Sequence, residues 1–353
     1  MMSILFRALR GLALALFVLS APLYLLALSL AATTLRPETY HRLLDDLHAP
    51  ERLRPALARI GLTRTLPLTT DDPDPRPLPP LPPSAWETMG AELLPADWLN
   101  AQAHALVDAT FAWLESDDLW PGGRVDLGLV LDRLQGAPGA AALIPLLGGA
   151  PPCGAGETPT GIGIYASCLP PQANVEGLAA QSALRLTHVL PRSLGLESLL
   201  ALGLVGPGIA PQLDLLHFTY RWAKVVVSAG GSFCLLLLAL YGLLAIRDWR
   251  GLISGPVAPL SIAGALTLML GSALWGTARA GGLAASVLPG AGELAREAVD
   301  YLVRAAALRV MVWGAGLLLL AALLWGVTRF LQSRQRQPAP PERRQTRVRR
   351  QFI

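Results

Sequence analysis

Apolar residues are distributed along this chain in two ways. In four runs they are continuous and uncharged: Gly11 to Ala32, Val225 to Ile246, a stretch within Gly251 to Thr277, and Val310 to Thr328. Elsewhere they recur at intervals, between charged and polar positions. A helix needs about 20 apolar residues to cross a hydrocarbon core of about 30 Å, and each run reaches that length. Backbone in lipid must satisfy its own N–H and C=O groups, so each run is expected to be a helix rather than an open strand.

Between the first and second runs the intervals are mostly helical. Tyr40, Leu43, Leu44, Leu47, Leu53 and Leu57 recur at near-helical spacing from Arg36 to about Ile60, interrupted by Pro50, with Pro37 suited to a first helical turn. The pattern predicts two short helices or a broken hairpin. Leu66 to Pro83 carries eight prolines and three aspartates, which predicts an extended polyproline linker. A further helix is expected from Pro95 or Ala96 to about Glu115, ended by Asp117, Asp118, Pro121, Gly122 and Gly123. Val125, Leu127 and Leu129 alternate with Asp126 and Gly128 as in a short half-buried strand, whose expected partner lies in GIGIYA, 161–166. From about Val175 to Lys224 the chain reads as short helices broken at Pro191, Pro207 and Pro211, the last leading into the second run.

Charge gives these elements sides. Residues 33–224 hold 13 basic and 20 acidic side chains, a net of −7, whereas the tail from Arg329 to Ile353 has eight arginines and one acid, Glu342. Arg7 and Arg10 precede the first run, and Arg247 and Arg250 lie between the second and third. Basic residues on alternate sides place both termini and the Arg247 to Arg250 turn in the cytoplasm by the positive-inside rule. The expected fold class is an α-helical integral membrane protein, a four-helix transmembrane bundle in the cell membrane. Its mainly α extracytoplasmic domain contains at most a small β element. The expected order is a cytoplasmic N-terminus (1–10), span 1 (11–32), extracytoplasmic domain (33–224, with linker 66–83) and span 2 (225–246). A cytoplasmic turn (247–250), span 3 (251–277), an extracytoplasmic segment (278–309), span 4 (310–328) and a basic cytoplasmic tail (329–353) follow. The first run, with its basic leader and small residues at its end, has a second reading as a cleavable signal peptide. Its 22 residues exceed the 7–15 of such a core, which favours a retained anchor.

In that topology Cys153 and Cys168 face an oxidising compartment, and a disulfide between them is expected. Cys234 falls inside the second run, where it reads as a small apolar residue.

The stretches PETYHRLLDDLHAPERL and ADWLNAQAHALVDATFAWLESDDLWPGGRVDLGLVLDRLQG resemble the outer-domain sequence of uncharacterised bacterial four-span membrane proteins with a large extracytoplasmic loop between spans 1 and 2. The resemblance implies the architecture and no reaction.

Candidate chemistry is sparse. The one lysine, Lys224, stands at a membrane border in RWAKVVV, which removes the amine that a phosphate-binding loop or a Schiff base requires. Gly154 to Gly163 lacks the dinucleotide-binding spacing, and the histidines are scattered. The best metal or acid–base grouping is Glu38, His41, Asp45, Asp46 and His48, in which His41, Asp45 and His48 would share a helix face; solvated helix surface explains it equally well. Glu115, Asp117, Asp118 and Asp126 surround a Gly-rich turn without the EF-hand pattern. No cofactor or metal is expected. The four runs contain no Asp, Glu, Lys, Arg or His, which argues against a transport path. Small residues at Ser261, Gly264, Ala265, Gly271 and Gly276, and at Gly314, Ala315 and Gly316, suit close helix packing. Glu293 to Arg304 is an amphipathic stretch expected to lie on the bilayer or against the large domain. Arg343, Arg344, Arg347, Arg349 and Arg350 are expected to contact anionic headgroups rather than nucleic acid. The functional expectation is a non-enzymatic envelope scaffold or accessory subunit that binds an unknown protein partner or envelope component through its outer domain. The alternative is an envelope enzyme or transport-complex accessory subunit that uses outer carboxylates such as Asp45, Asp118 or Asp126.

Overall fold

The computed structural model describes residues 2–65, 81–118, 122–154, 168–195, 209–245, 255–280 and 292–335. These form helices α1 (Met2–Thr34), α2 (Pro37–Asp46), α3 (Ala49–Thr65), α4 (Pro83–Leu93) and α5 (Ala96–Glu115), then strand β1 (Arg124–Asp126). Helices α6 (Gly128–Gln135), α7 (Ala137–Gly148) and α8 (Val175–Val189) follow, then strand β2 (Ser193–Gly195) and helices α9 (Ile209–Ala245), α10 (Val257–Arg279) and α11 (Glu293–Gln335). Four helices are long and apolar enough to cross a membrane: within α1 over Ala8–Thr34, within α9 over Leu213–Leu244, α10, and within α11 over Glu293–Ser333.

The chain divides into two compact units. One contains Met1–Ala32, Lys224–Val287 and Leu302–Ile353, and its helices meet around Phe17, Ala21, Leu237, Leu260, Ala263 and Ala321, with Cys234 among them. Glycine allows the closest approach. A Cβ on Gly314 would lie 2.8 Å from the Leu268 backbone N and 3.0 Å from the Gly264 carbonyl O, so α10 and α11 touch backbone to backbone there. Gly271 packs on Met311 and Ala307 of α11 in the same way, whereas a Cβ on Gly276 or Gly316 would meet nothing within 4 Å. Only part of the small-residue pattern is therefore used for packing. Large apolar side chains face outward, Leu19 at 65%, Leu235 at 69% and Leu319 at 66% exposure among them.

The other unit holds Thr33–Ala223 and Leu288–Tyr301. Its core is α-helical. Met89 of α4, Leu143, Leu146 and Leu147 of α7, and Leu186 of α8 are almost wholly buried, with Trp86, Leu134 and Ala183 around them. A smaller cluster joins Trp113, Leu114 and Tyr220. The first turns of α11 belong to this unit: Arg52 is ion-paired with Glu297, and the Tyr301 hydroxyl donates to Asp46 at 2.8 Å.

Several local expectations are met, and others need correction. Pro37 opens α2, and α5 covers Ala96–Glu115. The alternation after Gly123 yields a strand of only three residues, because Asp126 Oδ1 accepts the Gly128 N–H at 2.9 Å and turns the chain into α6. Its partner among the described residues is β2, antiparallel with Val125 opposite Leu194; the GIGIYA segment lies outside the described residues. Pro211 does not break a helix; it sits in the first turn of α9, where its missing N–H has no helical partner to lose. The Pro-rich linker at 66–80, the turn at 246–254 and the tail arginines Arg343, Arg344, Arg347, Arg349 and Arg350 also lie outside the described residues.

Candidate functional site

Two neighbouring features of the helical domain carry chemistry. The first is a constellation between α2 and α5, which run antiparallel at this point. Each presents a His-x-x-x-Asp step on one face, HRLLD at 41–45 and HALVD at 104–108. The pairing is reciprocal: His41 Nε2 lies 2.8 Å from Asp108 Oδ1, and His104 Nε2 lies 3.0 Å from Asp45 Oδ1. Between them His41 Nδ1 and His104 Nδ1 are 2.6 Å apart, with ring planes within 3° of parallel. Nitrogens this close belong to rings meeting edge to edge, and one of the two must carry the proton that the other accepts. The four side chains make a continuous hydrogen-bonded chain, carboxylate to imidazole to imidazole to carboxylate, that ties α2 to α5.

His48 does not join this group. It is the non-glycine residue with positive φ, 47°, and ends α2 in a left-handed turn, so the face expected to carry His41, Asp45 and His48 is cut before its last member. Its carbonyl then accepts the Arg52 N–H at 3.2 Å, starting α3. With Asp45, Glu51, Asp97 and Asn100 it lines a polar cleft of about 160 Å³. Among the described residues no three or more His, Cys, Asp or Glu side chains converge on a metal position.

The second feature is an apolar cavity of about 440 Å³. Leu53, Leu57 and Leu62 of α3, Leu99 and Leu106 of α5, and Leu186 of α8 are typical of its walls, and Leu44 and Pro50 line both cavity and cleft. Among the described residues the polar side chains on it are Thr65, Gln102 and the Trp98 indole. Thr65 donates to the Gly61 carbonyl at 2.7 Å, and Gln102 Oε1 accepts the Asp126 N–H at 3.1 Å, so both oxygens are already engaged. The volume falls within the range of small-molecule sites. Were it sealed and empty, such a cavity would cost on the order of 10 kcal/mol at the penalty measured for residual voids, as much as an ordinary domain's whole stability.

The aspartates proposed for chemistry are engaged separately. Asp45 belongs to the histidine chain, Asp126 holds the turn into α6, and the Asp118 carbonyl accepts the Trp113 indole N–H at 2.9 Å. None of the three lines the apolar cavity. Asp117, next in sequence, is ion-paired with Arg221, whose guanidinium holds its carboxyl below the usual carboxylate range by hydrogen bonding first and charge second. Cys153 and Cys168 are joined in a disulfide that closes a 15-residue separation between α7 and α8. Cys234 is a free, buried thiol whose hydrogen-bonding neighbour is Ser20.

Comparison with known protein families, with characterised proteins and with solved structures finds no match for the chain. Function must therefore be argued from the geometry alone.

The sequence reading missed both features. The duplicated His-x-x-x-Asp step was the available signal for the first, since two such faces on amphipathic helices can pair with each other. For the cavity there was none, because Leu, Ala and Pro look the same in a packed wall as in a hollow one.

Proposed function

We propose that this chain is a four-span membrane protein whose domain between the first and second spans is held outside the cytoplasm and acts as a binding module rather than an enzyme. The observation that carries this reading is the 440 Å³ cavity walled by hydrocarbon, from which the candidate acids are absent. Such a wall supplies binding energy through burial, roughly 25 cal/mol per Å² of apolar surface removed from water. Among the described residues it offers no acid or base side chain and no charge for a transition state.

Membrane embedding is supported by the outward-facing leucines of α1, α9 and α11, since contiguous apolar surface on this scale is not tolerated in water. The bias of arginine toward the termini and the 247–250 turn supports the orientation. The disulfide fits an oxidising compartment. Within the domain the His41–His104 chain braces α2 against α5, two helices that each supply part of the cavity wall.

The test is photocrosslinking in native membranes from benzophenone side chains placed at Gln102, on the cavity wall, and at Glu87, on exposed surface of α4. The reading predicts a discrete adduct from position 102 that is missing from position 87. Absence of any adduct from position 102 would remove the binding role.

A further inference from the structure

We propose that the occupant of this cavity is a single hydrocarbon chain of a membrane lipid, with the lipid's headgroup remaining outside. The inference rests on the reading of the domain as a binding module and names the class of ligand it takes.

The wall decides by exclusion. Among the described residues that line it there is no Lys, Arg, His, Asp or Glu, so an ionised group drawn inside would be desolvated without a counter-charge. A sugar or nucleotide would bring in many hydroxyls or phosphates against a wall whose two side-chain oxygens are already engaged. An extended peptide would insert alternating N–H and C=O groups and find no row of partners among the described residues, since the β1–β2 sheet is three residues long and its strands pair with each other. A hydrocarbon chain brings no polar group at all. It also fits the volume, and unlike a rigid polycycle it can adapt to a wall assembled from six helices and a short strand pair.

Supply points the same way. The four apolar helices surround themselves with lipid wherever they are embedded, so chains of this kind are the most concentrated apolar solute that the tethered domain meets. The head cannot follow the tail inward if it is a phosphate. Among the described residues neither the cavity nor the adjoining cleft is lined by Lys or Arg, and the cleft carries Asp45, Glu51 and Asp97.

The experiment uses the full chain in lipid nanodiscs doped with lipids that carry a diazirine at the end of the hydrocarbon chain. One arm has an acyl phospholipid, the other a polyisoprenyl phosphate. After irradiation, labelled peptides are located by mass spectrometry. The proposal predicts label on Leu99, Ala103 or Leu106 of α5 in at least one arm, and the arm that labels says whether the chain is acyl or isoprenoid. Ala103→Trp fills the cavity and should lower that label at least tenfold while label on α9 to α11 is unchanged. Gly61→Phe is the second blocking variant, because a Cβ there meets nothing within 4 Å and the fold need not give way. A cooperative thermal unfolding transition followed by tryptophan fluorescence reports that each variant is folded.

Label confined to the membrane helices in both arms, equal in wild type and variants, overturns the lipid assignment. If benzophenone at Gln102 then captures a protein, the binding role survives and only the ligand class falls. If it captures nothing, both fall.

Discussion

His41 on α2 and His104 on α5 meet nitrogen to nitrogen at 2.6 Å, each anchored on its far side by an aspartate from the opposite helix. Removing one ring leaves a carboxylate and an imidazole without their partners at once, so losses at the two positions are not additive. The rings are 22% and 27% exposed, and water replaces part of what is lost. His104→Ala should cost about 1 kcal/mol, and a double-mutant cycle with His41→Ala should show a coupling of roughly 0.5–1 kcal/mol. Denaturant unfolding of the four proteins followed by tryptophan fluorescence reads it, and strictly additive losses would deny the contact.

His48 holds a left-handed conformation that costs an ordinary L-residue roughly 1–2 kcal/mol. Glycine adopts it without strain but is freer when unfolded, so His48→Gly should be neutral or stabilising by up to about 1 kcal/mol. His48→Val, branched at Cβ, should destabilise by about 1–2 kcal/mol. Midpoints of thermal unfolding in the order Gly, His, Val from highest to lowest are expected.

Asp117 gains an Arg221 guanidinium on folding, which depresses its carboxyl. A group depressed in the folded state stabilises it above the unfolded carboxyl range, near 3.9, and loses that contribution as pH falls through the lower folded value. Arg221 also donates to the Ser116 carbonyl at 2.9 Å, so the pair ties the end of α5 to the start of α9. Asp117→Asn should narrow the gap in unfolding midpoint between pH 7 and pH 3 without abolishing it. The pair is solvent-exposed and its effect small.

Gly314 and Gly264 let α10 and α11 touch. Gly314→Val inserts atoms where backbone stands within 3.0 Å of a Cβ, whereas Gly316→Val enters open space. The first should destabilise the helix bundle by about 2 kcal/mol or more and the second should be close to neutral, as overpacking costs of this kind go. Unfolding in mixed detergent micelles with a helix-content readout separates them.

How far the sequence foretold this structure depends on the scale of the signal. The four long apolar helices and the bounds of α5 were legible because each rests on many residues that agree in period or polarity. The Cys153–Cys168 bond was legible from cysteine count and the expected compartment. The partner of β1 was not: three residues pair with Ser193–Gly195 across nearly 70 positions, and nothing local distinguishes that stretch from another Gly-rich one. His48 was misassigned because its own backbone angle ended the helix on which its position had been counted. Helix α4 is only 11 residues long, and α7 is nearly uniformly apolar and interrupted by Pro145, so their periodicity was faint. What hollowed the cavity is the arrangement of α2 to α6 and α8, a tertiary property with no sequence period.

The account stands or falls on a domain displayed on one side of a membrane and a C-terminal helix that ends on the other. Single reporter cysteines at Glu87 and Ser333 test it with a membrane-impermeant maleimide on intact cells. The native thiols interfere little, since Cys153 and Cys168 are bonded and Cys234 is buried. Glu87→Cys should label on intact cells and Ser333→Cys only after permeabilisation. Equal labelling of the two on intact cells, or of neither until the cells are opened, would contradict the topology and the binding role built on it.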